Sequence, residues 1–250
     1  MNKLAAIFNV WDGIELLPYS IRSVYNDVDV IIIVYQNRSN FHEVYDPYLE
    51  IMAVVEMFPD KKFVVQIYDP YVKGGFQNEI AKRNIGLNIA REKRCTHFLH
   101  IDTDELYENF NQAKQEYIDS GKKGSACKIY TYFKKPILRY EHEDGYYVPF
   151  IHKLGTNTVS GHHEYPFYVD PTRRINCDDV ALLDTHMHHM SWVRRDIERK
   201  ARNSSANINI ANGTMLQDYH SPEVGPGFYV RDADQKLIEV PNQFNIPYPL

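Results

Sequence analysis

Apolar positions along the first hundred residues follow two rhythms that alternate. Leu4 to Phe8 is an unbroken apolar run that ends at Asn9 and Asp12-Gly13, as a strand buried on both faces does. Ile14, Leu17, Ile21 and Val24 then recur at three- and four-residue intervals, which predicts a helix with one apolar stripe. Pro18 falls in its first turn, where a missing amide costs little. Val30 to Val34 reads as a second buried strand, closed by Gln36-Asn37-Arg38-Ser39-Asn40. A helix from Pro47 to Phe58 and a strand from Phe63 to Tyr68 follow. After Gly74-Gly75 a further helix carries Ala81, Ile85 and Ile89 on one face. Phe98-Leu99-His100-Ile101 is a short strand that runs straight into Asp102-Thr103-Asp104-Glu105.

Strand and helix in alternation predict a parallel, doubly wound sheet with right-handed crossovers. The loops after such strands share one edge. Asn9, Gln36, Asp69 and Asp102 are therefore expected to gather at the carboxyl ends of four strands, where open α/β sheets bind ligands.

The second half is less regular. Gly121-Lys122-Lys123-Gly124 leads to a strand near Ala126 to Phe133, and Tyr140 to Tyr168, rich in aromatics, His and Gly, reads as mixed strands and binding loops. Trp192 to about Ala206 is expected to be a helix, with Val193, Ile197 and Ala201 on one face. The expected organisation is one domain over 1–212, with 213–250 an irregular extension that packs on it or leads to a further module.

Composition adds exclusions. With 44% hydrophobic and 24% charged residues in 250, the chain supports one sizeable core. A formal net charge of -5 and no dense basic tail argue against nucleic acid as the main partner. Cys95, Cys127 and Cys177 form no CxxC pair, so neither a disulfide framework nor a thiolate zinc site is expected, and a reducing, cytoplasmic location fits. The N-terminal apolar run is too short for a signal-peptide core or a transmembrane segment.

Two segments carry candidate chemistry. Asp102, Asp104 and Glu105 crowd three carboxylates behind a buried strand, which demands a cation or strong donors. Such oxygen-rich sites suit Mg2+ or Mn2+, which also bind phosphate oxygens. The bland alternative is a solvated turn capping the next helix. Asp184-Thr185-His186-Met187-His188-His189-Met190-Ser191-Trp192 supplies three imidazoles just before the expected helix. It is equally a surface histidine patch or, without an HExxH helix, a metal phosphohydrolase site.

The segment Asn78 to Leu87, with its Arg83-Asn84-Ile85-Gly86, followed by Thr96 to Glu105, resembles the donor-binding half of GT-A glycosyltransferases of the family 2 type. Phe8 to Gly13 with Leu16-Leu17-Pro18 resembles their first strand and loop. His189-Met190-Ser191-Trp192 is similar to the His-x-Ser-Trp segment of the bisecting N-acetylglucosaminyltransferases. The resemblance implies a Rossmann-like α/β fold with a mixed, mainly parallel sheet flanked by helices. It implies a nucleotide-sugar donor, Mn2+ or Mg2+ as cofactor, and a glycan or small-molecule acceptor, as in polysaccharide biosynthesis. Asp104 would hold the metal, Asp102 the metal or the donor ribose, and His189 would complete the coordination, with His188 and His186 as alternates. Arg83 would contact the nucleotide or its diphosphate, Asn9, Asp12 and Gln36 would line the base pocket, and Lys200 would reach phosphate. An inverting transferase also needs a carboxylate base. Glu164 is the first choice because it follows an expected strand among aromatics, with Asp144, Asp178 and Asp179 as alternates. A nucleotide-binding module without transfer activity, or a nucleotidyltransferase, is the competing reading.

Overall fold

The computed structural model describes residues 3–59, 62–70, 74–203 and 213–250. Its first half is the expected α/β unit. Strands β1 (Leu4–Val10), β2 (Val30–Tyr35), β3 (Phe63–Ile67) and β4 (His97–Asp102) run parallel in the order β3-β2-β1-β4. Every residue of β1 is buried, because both faces are covered. Leu4, Ala6, Phe8 and Val10 share a core with α1 (Leu17–Val24) and α2 (Tyr48–Glu56). Ala5 and Ile7 face α3 (Gly75–Glu92) on the other side. The helix lies so close there that a Cβ on Gly86 would come 2.2 Å from Ile7 Cγ2. The glycine of the Arg-Asn-x-Gly segment is thus a helix-to-sheet contact.

The second half is antiparallel for the most part. Strand β5 (Glu105–Tyr107) follows β4 directly, then α4 (Phe110–Ser120), β6 (Gly124–Phe133), β7 (Leu138–Tyr140) and β8 (Val148–Lys153). Strand β8 runs antiparallel between β4 and β6, so it joins the two halves into one mixed sheet. Strand β9 (Val180–Trp192) runs parallel to β6 on its other edge and antiparallel to β5.

Two expectations change here. The residues from Trp192 do not open a helix: β9 continues through Trp192, and α5 begins at Ile197 and is described as Ile197–Asn203. Pairing with both β5 and β6 holds the histidine segment extended, and tertiary contact overrides local pattern. Ala206 lies outside the described residues. Residues 213–250 are more regular than expected, with α6 (Met215–His220), β10 (Tyr229–Val230) and β11 (Gln235–Glu239), and β11 pairs antiparallel with β7 at the sheet's edge. No helix among the described residues is long and apolar enough to cross a membrane.

Candidate active site

The parallel register sets Asn9 beside Asp102 at the carboxyl edge of the sheet. Two adjoining clefts open there, of about 140 and 750 Å³, and they share Glu79, Arg83, Asp102, Asp104, Lys200 and Asn203. The smaller is also lined by Asn9, Asp12 and Gln36, so the residues expected around a base do converge. Asp69 does not: it is exposed at the end of edge strand β3 and lines neither cleft.

The acidic cluster is compensated by cations that its own stretch of sequence does not contain. Asp102 lies between Arg83, at 3.4 Å, and Arg173, which touches it directly. Arg173 also pairs with the buried Glu105 at 2.5 Å, and Glu105 accepts the Asp102 amide at 3.0 Å. Burial opposes ionisation of Asp102, yet Arg173 and Arg83 outweigh it and bring the carboxyl down to about 2. Asp104 is buried against Arg194, with Lys200 Nζ and His189 Nε2 each 3.6 Å from its Oδ2. Burial again opposes ionisation there, and Arg194, Lys200 and His189 together hold the carboxyl well below the usual range. Arg194 reaches this position through Gly13. With φ at +72°, Gly13 leaves room for a guanidinium whose Nη1 would otherwise lie 1.5 Å from a Cβ.

His189 comes to Asp104 through strand pairing. Glu105 and His189 are register partners in the antiparallel β5–β9 ladder, and Met190 donates its amide to the Asp104 carbonyl at 2.7 Å. Period-two alternation then sends the other two histidines away. His188 is buried 2.9 Å from Tyr132 Oη and receives a hydrogen bond from Gln243 at 3.0 Å. His186 stacks on Tyr130 at 4.3 Å and meets Glu143 at 2.7 Å. Neither alternate reaches Asp104, and the three imidazoles do not form one metal site, which removes the basis of the phosphohydrolase reading.

Asp104 and His189 offer one anionic oxygen and one imidazole nitrogen. No third His, Cys, Asp or Glu among the described residues completes a metal-binding group with them. Mg2+ and Mn2+ sites in phosphate chemistry commonly take one or two protein ligands, with substrate phosphates and water filling the rest. The donor pair fits an ion of that class shared with a phosphate.

The structure does not bring the first-choice base to the clefts. Glu164 is exposed in the loop after Gly161 and lines neither cleft; Asp178 is exposed, and Asp179 pairs with Lys122 at 2.9 Å. Of the candidate bases, the one that lines the large cleft is Asp144. Its loop is tied down by its amide, which donates to the Ile129 carbonyl at 3.0 Å, and by Thr131 Oγ1, which donates to its carboxylate at 2.9 Å. Burial raises the Asp144 carboxyl above its ordinary value, against the pull of His189 and Thr131.

Around the small cleft, buried polar atoms lack protein partners. Both amide atoms of Asn9, Gln36 Oε1, Trp11 Nε1, Arg83 Nε and Nη1, and Arg194 Nη1 make no hydrogen bond, nor does Arg173 Nη1 on the large cleft. Such groups cost roughly 1–3 kcal/mol each when left dry. Their concentration at one place points to a polar ligand. Lys82, buried beside them, has its amine brought down to about 8 by desolvation. Arg173, Arg194 and Lys82 are absent from the sequence expectations. Nothing near Arg173 or Arg194 in sequence marks either of them.

No family model matches the chain, and no curated protein does. Among solved structures, S. aureus TarS 1-349 is similar over 89% of this chain and 75% of that one, at 11% identity and a TM-score of 0.46. A structure of S. aureus TarS 1-349 in complex with UDP-GlcNAc is similar over 86% and 76%, at 11% identity and a TM-score of 0.44. Mannose-1-phosphate geranyltransferase from Thermus thermophilus is similar over 62% and 51%, at 10% identity and a TM-score of 0.34.

Proposed function

We propose that this protein is a glycosyltransferase of the GT-A kind, which moves a sugar from a nucleoside diphosphate to a hydroxyl acceptor with inversion. One observation carries the reading. The two clefts meet at Asp102, Asp104 and Lys200, with His189 beside Asp104 in the large cleft, guanidinium nitrogens without partners on one side and the half-buried carboxylate Asp144 on the other.

The small cleft suits a nucleobase, since Asn9 offers both a free donor and a free acceptor there. Arg83, Arg173 and Lys200 face the place where a diphosphate would cross into the large cleft. A divalent ion held by Asp104 and His189 would supply charge stabilisation to that diphosphate. Arg194 keeps the Asp104 carboxylate ionised and in place. On the acceptor side, Asp144 takes the proton of the incoming hydroxyl. The hydroxyl oxygen bonds to the anomeric carbon as the bond from that carbon to the phosphate oxygen breaks, and the diphosphate leaves with the electron pair.

The test is a panel of nucleotide sugars with manganese, monitored by NMR for anomeric signals of the released or transferred sugar. One donor should be consumed, and the first-formed sugar should have the opposite anomeric configuration. A retained configuration contradicts the mechanism, and no consumption of any donor contradicts the function.

A further inference from the structure

The large cleft has a charge division that bears on the acceptor, given the donor assignment above. Its cationic lining residues, Arg83, Arg173 and Lys200, all sit at the donor end, where they face Asp102, Glu105 and Asp104. Among the described residues, the opposite end has carboxylates and no lysine or arginine in its lining: Asp144 within and Asp232 at the rim. The neighbouring arginines are turned elsewhere. Arg139 lies over the Tyr130 ring at 3.8 Å, and Arg231 Nε bonds Asp218 Oδ1 at 2.7 Å. Asp232 is fixed by the start of α6, whose Thr214 and Met215 amides donate to it at 2.7 and 2.6 Å. Residues 204–212, outside the description, include no charged residue.

We propose that the acceptor is an electrically neutral sugar, and that sugars bearing phosphate or carboxylate are rejected. Two carboxylates with no lysine or arginine in the lining beside them repel an incoming anion, and the partly desolvated cleft screens that repulsion less than water does. The same end offers what a neutral sugar uses. Tyr146, Tyr147 and Trp192 line it with aromatic surface, and the buried Tyr140 hydroxyl has no partner. Aromatic faces cover the C–H side of a sugar ring, and a free hydroxyl meets its polar edge.

The experiment titrates the protein with a panel of methyl hexosides, their 6-phosphates and the corresponding uronides. Binding is read by calorimetry or saturation-transfer NMR, with and without nucleoside diphosphate and manganese. At least one neutral hexoside should bind, with its charged counterparts weaker by about tenfold or more. Gln235→Lys, which sets a cation on the acceptor end, should narrow that gap by tightening the charged sugars relative to the neutral one. Equal or tighter binding of the charged sugars overturns the proposal, and so does binding of neither class. Failure of the donor assignment shows separately, as absent nucleoside diphosphate binding in the same titrations.

Discussion

The donor end and the acceptor end of the cleft come from different halves of the chain and are held by different means. At the donor end, three of the four parallel strands deliver Asn9, Gln36 and Asp102 to one edge, so position follows from topology. Charge there is dense and mutually compensated, with Arg83, Arg173, Arg194 and Lys200 against Asp102, Asp104 and Glu105. At the acceptor end, antiparallel strands and the β10–β11 hairpin present aromatic surface and carboxylates with no lysine or arginine in the described lining. Binding at the donor end should therefore depend on a network that breaks as a unit. Chemistry at the acceptor end should depend on single side chains.

The sharpest way to break that contrast is Asp144→Asn. If Asp144 is the base, turnover should fall by about 10²–10⁴-fold with nucleoside diphosphate affinity unchanged. Steady-state kinetics beside a binding titration reads both. The pH dependence has a definite sign. Burial raises the Asp144 carboxyl above 3.8, and the base works only when ionised, so the acid limb of the turnover profile should lie above the ordinary aspartate range. Glu164→Gln, at the exposed position, should leave turnover near normal.

Removing a member of the donor network should act on stability as well as binding. Arg173→Met leaves Asp102 and Glu105 facing each other without their shared partner, at a cost of about 3–5 kcal/mol, measurable by denaturant unfolding. The network also sets an acid response. Asp102 ionises at about 2 in the folded chain against 3.8 ordinarily. Its stabilising contribution is therefore complete above 3.8 and is lost as pH falls through about 2. In Arg173→Met that part of the acid unfolding curve should flatten.

A smaller effect is expected for Gly13→Ala. The positive φ of +72° costs a Cβ about 1–2 kcal/mol, and the new methyl displaces Arg194 from Asp104. Melting should drop modestly, and manganese-dependent nucleotide binding should weaken with it. An unchanged binding constant would show that Arg194 does not position Asp104.

The same division explains what the sequence made legible. The parallel half was readable because buried strands and striped helices carry periodic signals, and topology then placed Asn9, Gln36 and Asp102 but not Asp69, while Arg83 came only with the resemblance. The strand β9 was not, since its mixed apolar and histidine pattern has no helix or strand period of its own. Its pairing with β5 and β6 decided its shape, and with it which histidine faces Asp104. Asp144 stood only as an alternate because loop burial is not written in local sequence, whereas Glu164 among aromatics looked equally enclosed. Arg173 and Arg194 come from distant turns, and only the folded chain reveals that the acidic cluster carries its own counter-charges.

The most direct test of the central assignment is a calorimetric titration of the protein with a panel of nucleoside diphosphates, with and without manganese, beside Asp104→Asn. Thermal melting of the unliganded variant serves as the folding control. One nucleotide should bind stoichiometrically, manganese should strengthen it, and the folded variant should lose the manganese-dependent part. Binding of none of them, or manganese-dependent binding that survives in the variant, would contradict it.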